Sequence, residues 1–230
     1  MKRNTKASIR ILAIASLAVL TGCESVSRDV ASDGPPGVIA EVWVDNWFEM
    51  YVDGEKVLED SVPITTERSF NAETITLPGT RPMIVAIKAM DFKENDSGLE
   101  YIGTPRQQMG DGGLIAQFRD AQTGQVLAAT GGTMRCLVVH RAPLDRSCAQ
   151  KSNPVAGSGA CDFQETDIPG NWMDADFDDS AWPLAVEYTA EQVRPKDGYD
   201  EIEWDRSAKL IWSEDLVQDN TLLCRIVIAD

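Results

Sequence analysis

Short alternating runs that end on glycine turns fix the kind of fold open to this chain. In WFEMYVDGEKVLE, Phe48, Met50 and Val52 fall on one face of an extended segment, and Trp47, Glu49 and Tyr51 on the other. Asp53-Gly54 interrupts the run, a two-residue hairpin signal because both positions of such a turn take positive φ. GLIAQFRDAQTGQVLAAT repeats the device near Thr123-Gly124. RPMIVAIKAM is an apolar run, as expected of a strand covered on both faces. VIAEVWVD, MRCLVVHRAP and TLLCRIVIAD add further strands, and in the last Leu222, Cys224, Ile226 and Ile228 share a face. There is no long amphipathic helix and no repeat at a fixed period. The pattern predicts an all-β sandwich or jelly roll over residues 38–230.

The amino terminus reads differently. Residues 1–10 hold Lys2, Arg3, Lys6 and Arg10 and no acid, and ILAIASLAVL follows without a polar break. Ten apolar residues fall well short of the ~20 that cross a bilayer as a helix, so residues 1–22 read as a cleaved secretory signal. Leu20-Thr21-Gly22-Cys23 resembles the lipobox of bacterial lipoproteins. The resemblance implies cleavage before Cys23 and acylation of its thiol and new amino group, which anchors the protein to a membrane through lipid. Glu24 follows rather than Asp, which in that family points to the outer rather than the inner membrane. Residues 23–37 are polar, with Gly and Pro, and read as a flexible tether.

Loss of the signal would remove four basic groups and take the formal charge from −16 to −20. Such a charge argues against nucleic acid as a partner, since phosphates would be repelled. Four cysteines remain beyond Cys23: Cys136, Cys148, Cys161 and Cys224. In an exported chain they suggest two disulfides, for which three pairings exist. Cys148–Cys161 is favoured because AQKSNPVAGSGA between them has almost no core-forming residues; Cys136 and Cys224 would then pair between strands. With no C-x-x-C spacing and one histidine, a zinc site is not expected.

Three stretches resemble the galactose-binding-like jelly-roll domains appended to glycoside hydrolases, especially the amino-terminal accessory modules of α-L-rhamnosidases. They are the hairpin Asp45–Val57, the hairpin GGLIAQFRDAQTGQVLAAT, and Trp172 followed by Asp176-Phe177-Asp178-Asp179-Ser180-Ala181-Trp182. Gly131-Gly132-Thr133-Met134 lacks the Trp that those modules carry after the second hairpin. In the third element Asp178, Asp179 and Ser180 are expected to fix a tight turn by accepting backbone N–H groups. Phe177 and Trp182 would point into the sandwich, with Trp172 beside them. The enzymes of this resemblance carry their catalytic acids in a separate domain for which this chain has no room. It therefore implies fold more than activity.

Catalytic readings find little support. Asp174, Asp176, Asp178 and Asp179 are assigned to a turn rather than to a glycosidase acid pair. His140 lies in a strand without a nucleophile elbow. No catalytic residue and no cofactor is assigned, and the chain is expected not to be an enzyme. Sugar binding requires aromatic faces with fixed polar partners. Trp47, Tyr51, Tyr199 and Trp204, with Asp45 and Asn46, are the candidate ligand-binding residues; Tyr101, Glu100 and Asp197 are further possibilities. Residues 91–98 (DFKENDSG) offer oxygen donors for a structural Ca²⁺ but form no EF-hand, and read as a solvated loop. The expected function is a lipid-anchored, non-catalytic envelope module binding carbohydrate, and the alternative is a structural or protein-interaction lipoprotein.

Overall fold

The computed structural model describes residues 37–229; the signal, Cys23 and all but the end of the tether lie outside the described residues. Fourteen strands follow one another: β1 (Gly37–Asp45), β2 (Trp47–Val52), β3 (Glu55–Glu59), β4 (Phe70–Pro78), β5 (Met83–Met90), β6 (Leu99–Glu100), β7 (Gln108–Met109), β8 (Gly113–Asp120), β9 (Val126–Ala129), β10 (Arg135–Arg141), β11 (Gln164–Glu165), β12 (Val186–Tyr188), β13 (Leu210–Trp212) and β14 (Asp219–Ile228). Among the described residues the sole α-helix is the four-residue α1 (Ala190–Val193), started by a capping box on Thr189.

Two six-stranded antiparallel sheets pack as a β-sandwich. The first runs β12-β13-β8-β1-β4, with β9 also on β8; the second runs β11-β10-β14-β5-β2-β3. The hairpin signals hold in detail. Asp53 and Gly54 both have positive φ, at 48° and 90°, and β2 pairs with β3 across them. Gly124 has φ 72° in the turn between β8 and β9, where the Asp120 carboxylate accepts from the Gln122 and Thr123 backbones.

Side-chain alternation decides what each face meets. Val38, Ala40, Val42 and Val44 of β1 point into the space between the sheets, as do Phe48 and Met50 of β2. Val85, Ile87 and Ala89 of β5, and Leu222, Cys224, Ile226 and Ile228 of β14, face them. Burying one such aliphatic or aromatic side chain contributes ~1.5–3 kcal/mol, so this shared layer dominates the stability. Residues on the opposite faces, such as Trp43 of β1 and Leu223 of β14, are also buried, because the chain after β10 lies back over both sheets.

Both disulfides join the expected partners. Cys136 and Cys224 stand directly opposite each other in β10 and β14, Cα atoms 4.1 Å apart, in the close pairing of an antiparallel ladder. Cys148–Cys161 ties two 3₁₀ turns, Arg146–Gln150 and Gly159–Cys161, and is buried with Leu99. Closing a loop of this size contributes ~3 kcal/mol by restricting the unfolded chain.

One expectation of placement is corrected. Trp172, Phe177 and Trp182 do not enter the space between the sheets. They form a separate cluster with Ala86, Val139 and Leu223 on the outer face of the second sheet. The reason lies in β14, whose Arg225 turns outward between inward-facing neighbours and is itself buried. Its guanidinium donates to the Asp179 carboxylate at 3.0 Å and to the carbonyls of Trp172, Asp174 and Phe177. A buried guanidinium needs such partners, and a compact turn of the chain offers them together. Within that turn Asp178 accepts from the Ser180 backbone N–H at 2.9 Å, as the sequence suggested.

Candidate functional site

The outer face of the first sheet is covered by residues 189–209, and the cover is anchored by polar side chains of β8. Gln117, fully buried, accepts from the Asp205 backbone N–H at 2.7 Å and donates to the Glu203 carbonyl at 3.1 Å. Arg119 donates to the same carbonyl at 2.9 Å, and both side chains meet the Glu41 carboxylate of β1. An aromatic column runs alongside. Tyr199 stands edge-on to Trp43 at 5.6 Å, and Trp204 lies against Tyr199 at 5.9 Å. The indole N–H of Trp43 donates to the Asp197 carbonyl, and that of Trp204 to the Tyr199 carbonyl. Gly198 permits this path: its φ is 88°, and a Cβ there would come within 2.7 Å of the Ala72 backbone nitrogen.

Where the cover ends, an open cleft of about 460 Å³ remains, lined by Glu41, Arg119, Glu203, Trp204, Asp205 and Arg206. Trp204 is half-buried, so part of its indole faces the cleft. The arrangement offers an aromatic surface, a guanidinium and carboxylates within one small volume. Those groups suit a neutral polyhydroxylated ligand, whose C–H faces stack on an indole and whose hydroxyl pairs bridge planar polar groups.

The other predicted ligand residues lie elsewhere. Asp45 and Asn46, joined by a cis peptide bond, are buried at the end of β1. Asn46 donates to the Glu67 carbonyl and accepts from the Phe92 backbone, so its amide is committed to holding loops together. Trp47 is buried, with Lys88 5.9 Å over its ring. Tyr51 packs edge-on to Trp172 on the second sheet. The structure therefore brings Tyr199 and Trp204 together and separates them from Trp47 and Tyr51. Asp45 meets their cover through Lys196, whose ammonium is 3.1 Å from both Asp45 and Asp111.

Around that lysine sits a group of acids. Burial pushes Asp45 up to about 8 against the pull of Lys196, and pushes Glu100 up to about 7 despite a hydrogen bond from Gln108. Complete burial raises Asp91 well above the carboxylate range, with Asp45, Glu100 and Asp111 adding to the effect. Asp91, Ser97 and Gly98 are buried while Glu94 and Asn95 are exposed, so the loop 91–98 is solvated only in its middle.

Sequence reasoning missed Glu41, Gln117, Arg119 and Lys196. One signal was present: Gln117 and Arg119 break the apolar run of GLIAQFRD on alternate positions, placing two polar groups on one face of a strand. Glu41 and Lys196 have no such local mark. Compared with models of protein families, with curated proteins and with solved structures, the chain matches none.

Proposed function

We propose that the protein is a lipid-anchored, non-catalytic module of the bacterial envelope that binds carbohydrate, its sandwich being a jelly roll of the galactose-binding-like type. The observation that carries the sugar reading is the cleft beside Trp204, where a half-buried indole shares about 460 Å³ with Glu41, Arg119, Glu203, Asp205 and Arg206. The two disulfides support an extracytoplasmic location. The lipid anchor rests on Cys23 and its lipobox-like context. Outer-membrane retention is the placement we favour.

An open cleft of this kind binds single sugars weakly, near millimolar or ~4 kcal/mol. Useful retention then comes from many copies held on one membrane. Trp204→Ala is expected to abolish binding on a glycan array and in calorimetry, with and without calcium, while leaving a cooperative unfolding transition. No glycan bound by the parent, together with an envelope protein recovered by crosslinking in cells, would establish the protein-interaction alternative instead. Cys23→Ala is expected to leave the membrane fraction, and a variant that still pelleted with membranes as the parent does would overturn the anchor.

A further inference from the structure

His140 is the one histidine of the chain. It sits at the irregular end of β10, opposite Glu165 of β11, and its ring stacks on Phe163 at 5.7 Å. Its Nδ1 lies 3.1 Å from Oδ1 of Asn220, a buried residue whose amide nitrogen faces Asp91 at 3.4 Å. That orientation leaves Oδ1 to accept, so Nδ1 carries the proton and Nε2 the lone pair. Nε2 is buried and has no hydrogen-bond partner. The side chain around it is 6% exposed, and Asp96 Oδ1 approaches it to only 3.6 Å. One ligand atom from each of Asp96, His140 and Glu165 lies within 4.8 Å of the others.

Three acceptors that converge in this way have nothing to offer one another. A desolvated lone pair without a donor is costly, and native folds rarely leave one. A bound cation would use that lone pair together with the two carboxylates. Imidazole nitrogen selects against calcium and magnesium, whereas one imidazole and two carboxylates suit a first-row divalent ion with an open position for water. The Nδ1–H donated to Asn220 is the outer-shell contact that fixes a ligating imidazole in the required tautomer.

We propose that His140 Nε2, Asp96 and Glu165 form a binding site for a divalent transition-metal ion, zinc being the leading candidate. The site opens on a cavity of about 460 Å³ that Thr166, Asp167 and Ile168 also line. It is distinct from the Trp204 cleft and does not depend on the sugar reading. Lys93, whose ammonium contacts Asp96 Oδ1, competes with the metal and keeps the carboxylate paired when the site is empty.

The test uses untagged protein stripped with chelator and titrated with Zn²⁺ or Co²⁺ alone. Calorimetry is expected to give one ion per chain with micromolar affinity. Because the chain has a single histidine, its imidazole ¹⁵N resonances report on the site directly, and Zn²⁺ is expected to shift Nε2 far more than Nδ1. Asp96→Asn and Glu165→Gln replace partly or fully exposed groups and should fold as the parent does; each is expected to weaken binding at least tenfold. Lys93→Met is expected to strengthen it. Unmoved imidazole resonances at saturating Zn²⁺, or parental affinity in both carboxylate variants, would overturn the assignment.

Discussion

The two sheets wear covers of similar length and different chemistry. Residues 166–185 close over the second sheet by pressing Trp172, Phe177 and Trp182 onto Ala86, Val139 and Leu223 around the Arg225 guanidinium. Residues 189–209 close over the first sheet on an amide, Gln117, and an aromatic column that ends half-buried at Trp204. A buried guanidinium holds the cover of the second sheet shut. A buried amide, with the half-buried Arg119 beside it, holds the cover of the first sheet and leaves a cleft at its rim. Coverage of a sheet face can therefore rest on a buried guanidinium or on a buried amide.

The sharpest way to break the comparison is to remove the charged anchor. Arg225→Ala strips Asp179 and three carbonyls of their donor, and breaking a buried pair of this kind costs ~3–5 kcal/mol. Urea denaturation should show that loss, and a parental midpoint would mean that the second cover needs no polar anchor. Trp182→Ala deletes the apolar part of the same cover and is expected to cost ~3 kcal/mol or somewhat more. A variant as stable as the parent would place that indole at the surface.

Gln117→Ala removes the amide anchor and should cost less, ~1–3 kcal/mol, because the Asp205 N–H loses its acceptor while the Glu203 carbonyl keeps Arg119. Hydrogen exchange should then rise in residues 196–206 and stay low in 172–182. Equal loosening of both segments would show that the covers are not independent.

A further test of the comparison is pH. Asp45 and Glu100, beside the first cover, bind protons more tightly in the folded than in the unfolded chain. Their contribution is therefore fully present below about pH 4, where both states are protonated, and is lost as pH rises through about 7 to 8. Parent protein should lose stability between pH 5 and pH 8 relative to a variant carrying Asp45→Asn and Glu100→Gln. Identical pH profiles for the two proteins would show that these acids ionise freely in the fold.

What was legible in the sequence was legible because it is local. Period-two alternation in β2 and β14, the Asp53-Gly54 turn and the featureless segment between Cys148 and Cys161 each state a preference over a few residues. Those preferences suffice for an all-β sandwich and for both disulfides. The W…FDDS-x-W element was likewise readable as a turn with bulky anchors. Its destination was not, since nothing near Trp182 says that Arg225, 43 residues later, faces outward to receive it.

The grouping of the candidate site residues belongs to the tertiary structure. Glu41 and Arg119 reach the Trp204 cleft because β1 and β8 are neighbours, while Trp204 comes from a loop some 85 residues further on. Trp47 and Tyr51, named beside Trp204 as candidates, lie on β2 of the other sheet, Trp47 buried and Tyr51 half-buried edge-on to Trp172. A lone histidine promised no metal chemistry, yet Asp96, His140 and Glu165 converge once β11 pairs with β10. Strand pattern is written in adjacent residues by the geometry of the extended backbone. Convergence of charges is written only in which strands lie side by side, and that choice is made by the whole core at once.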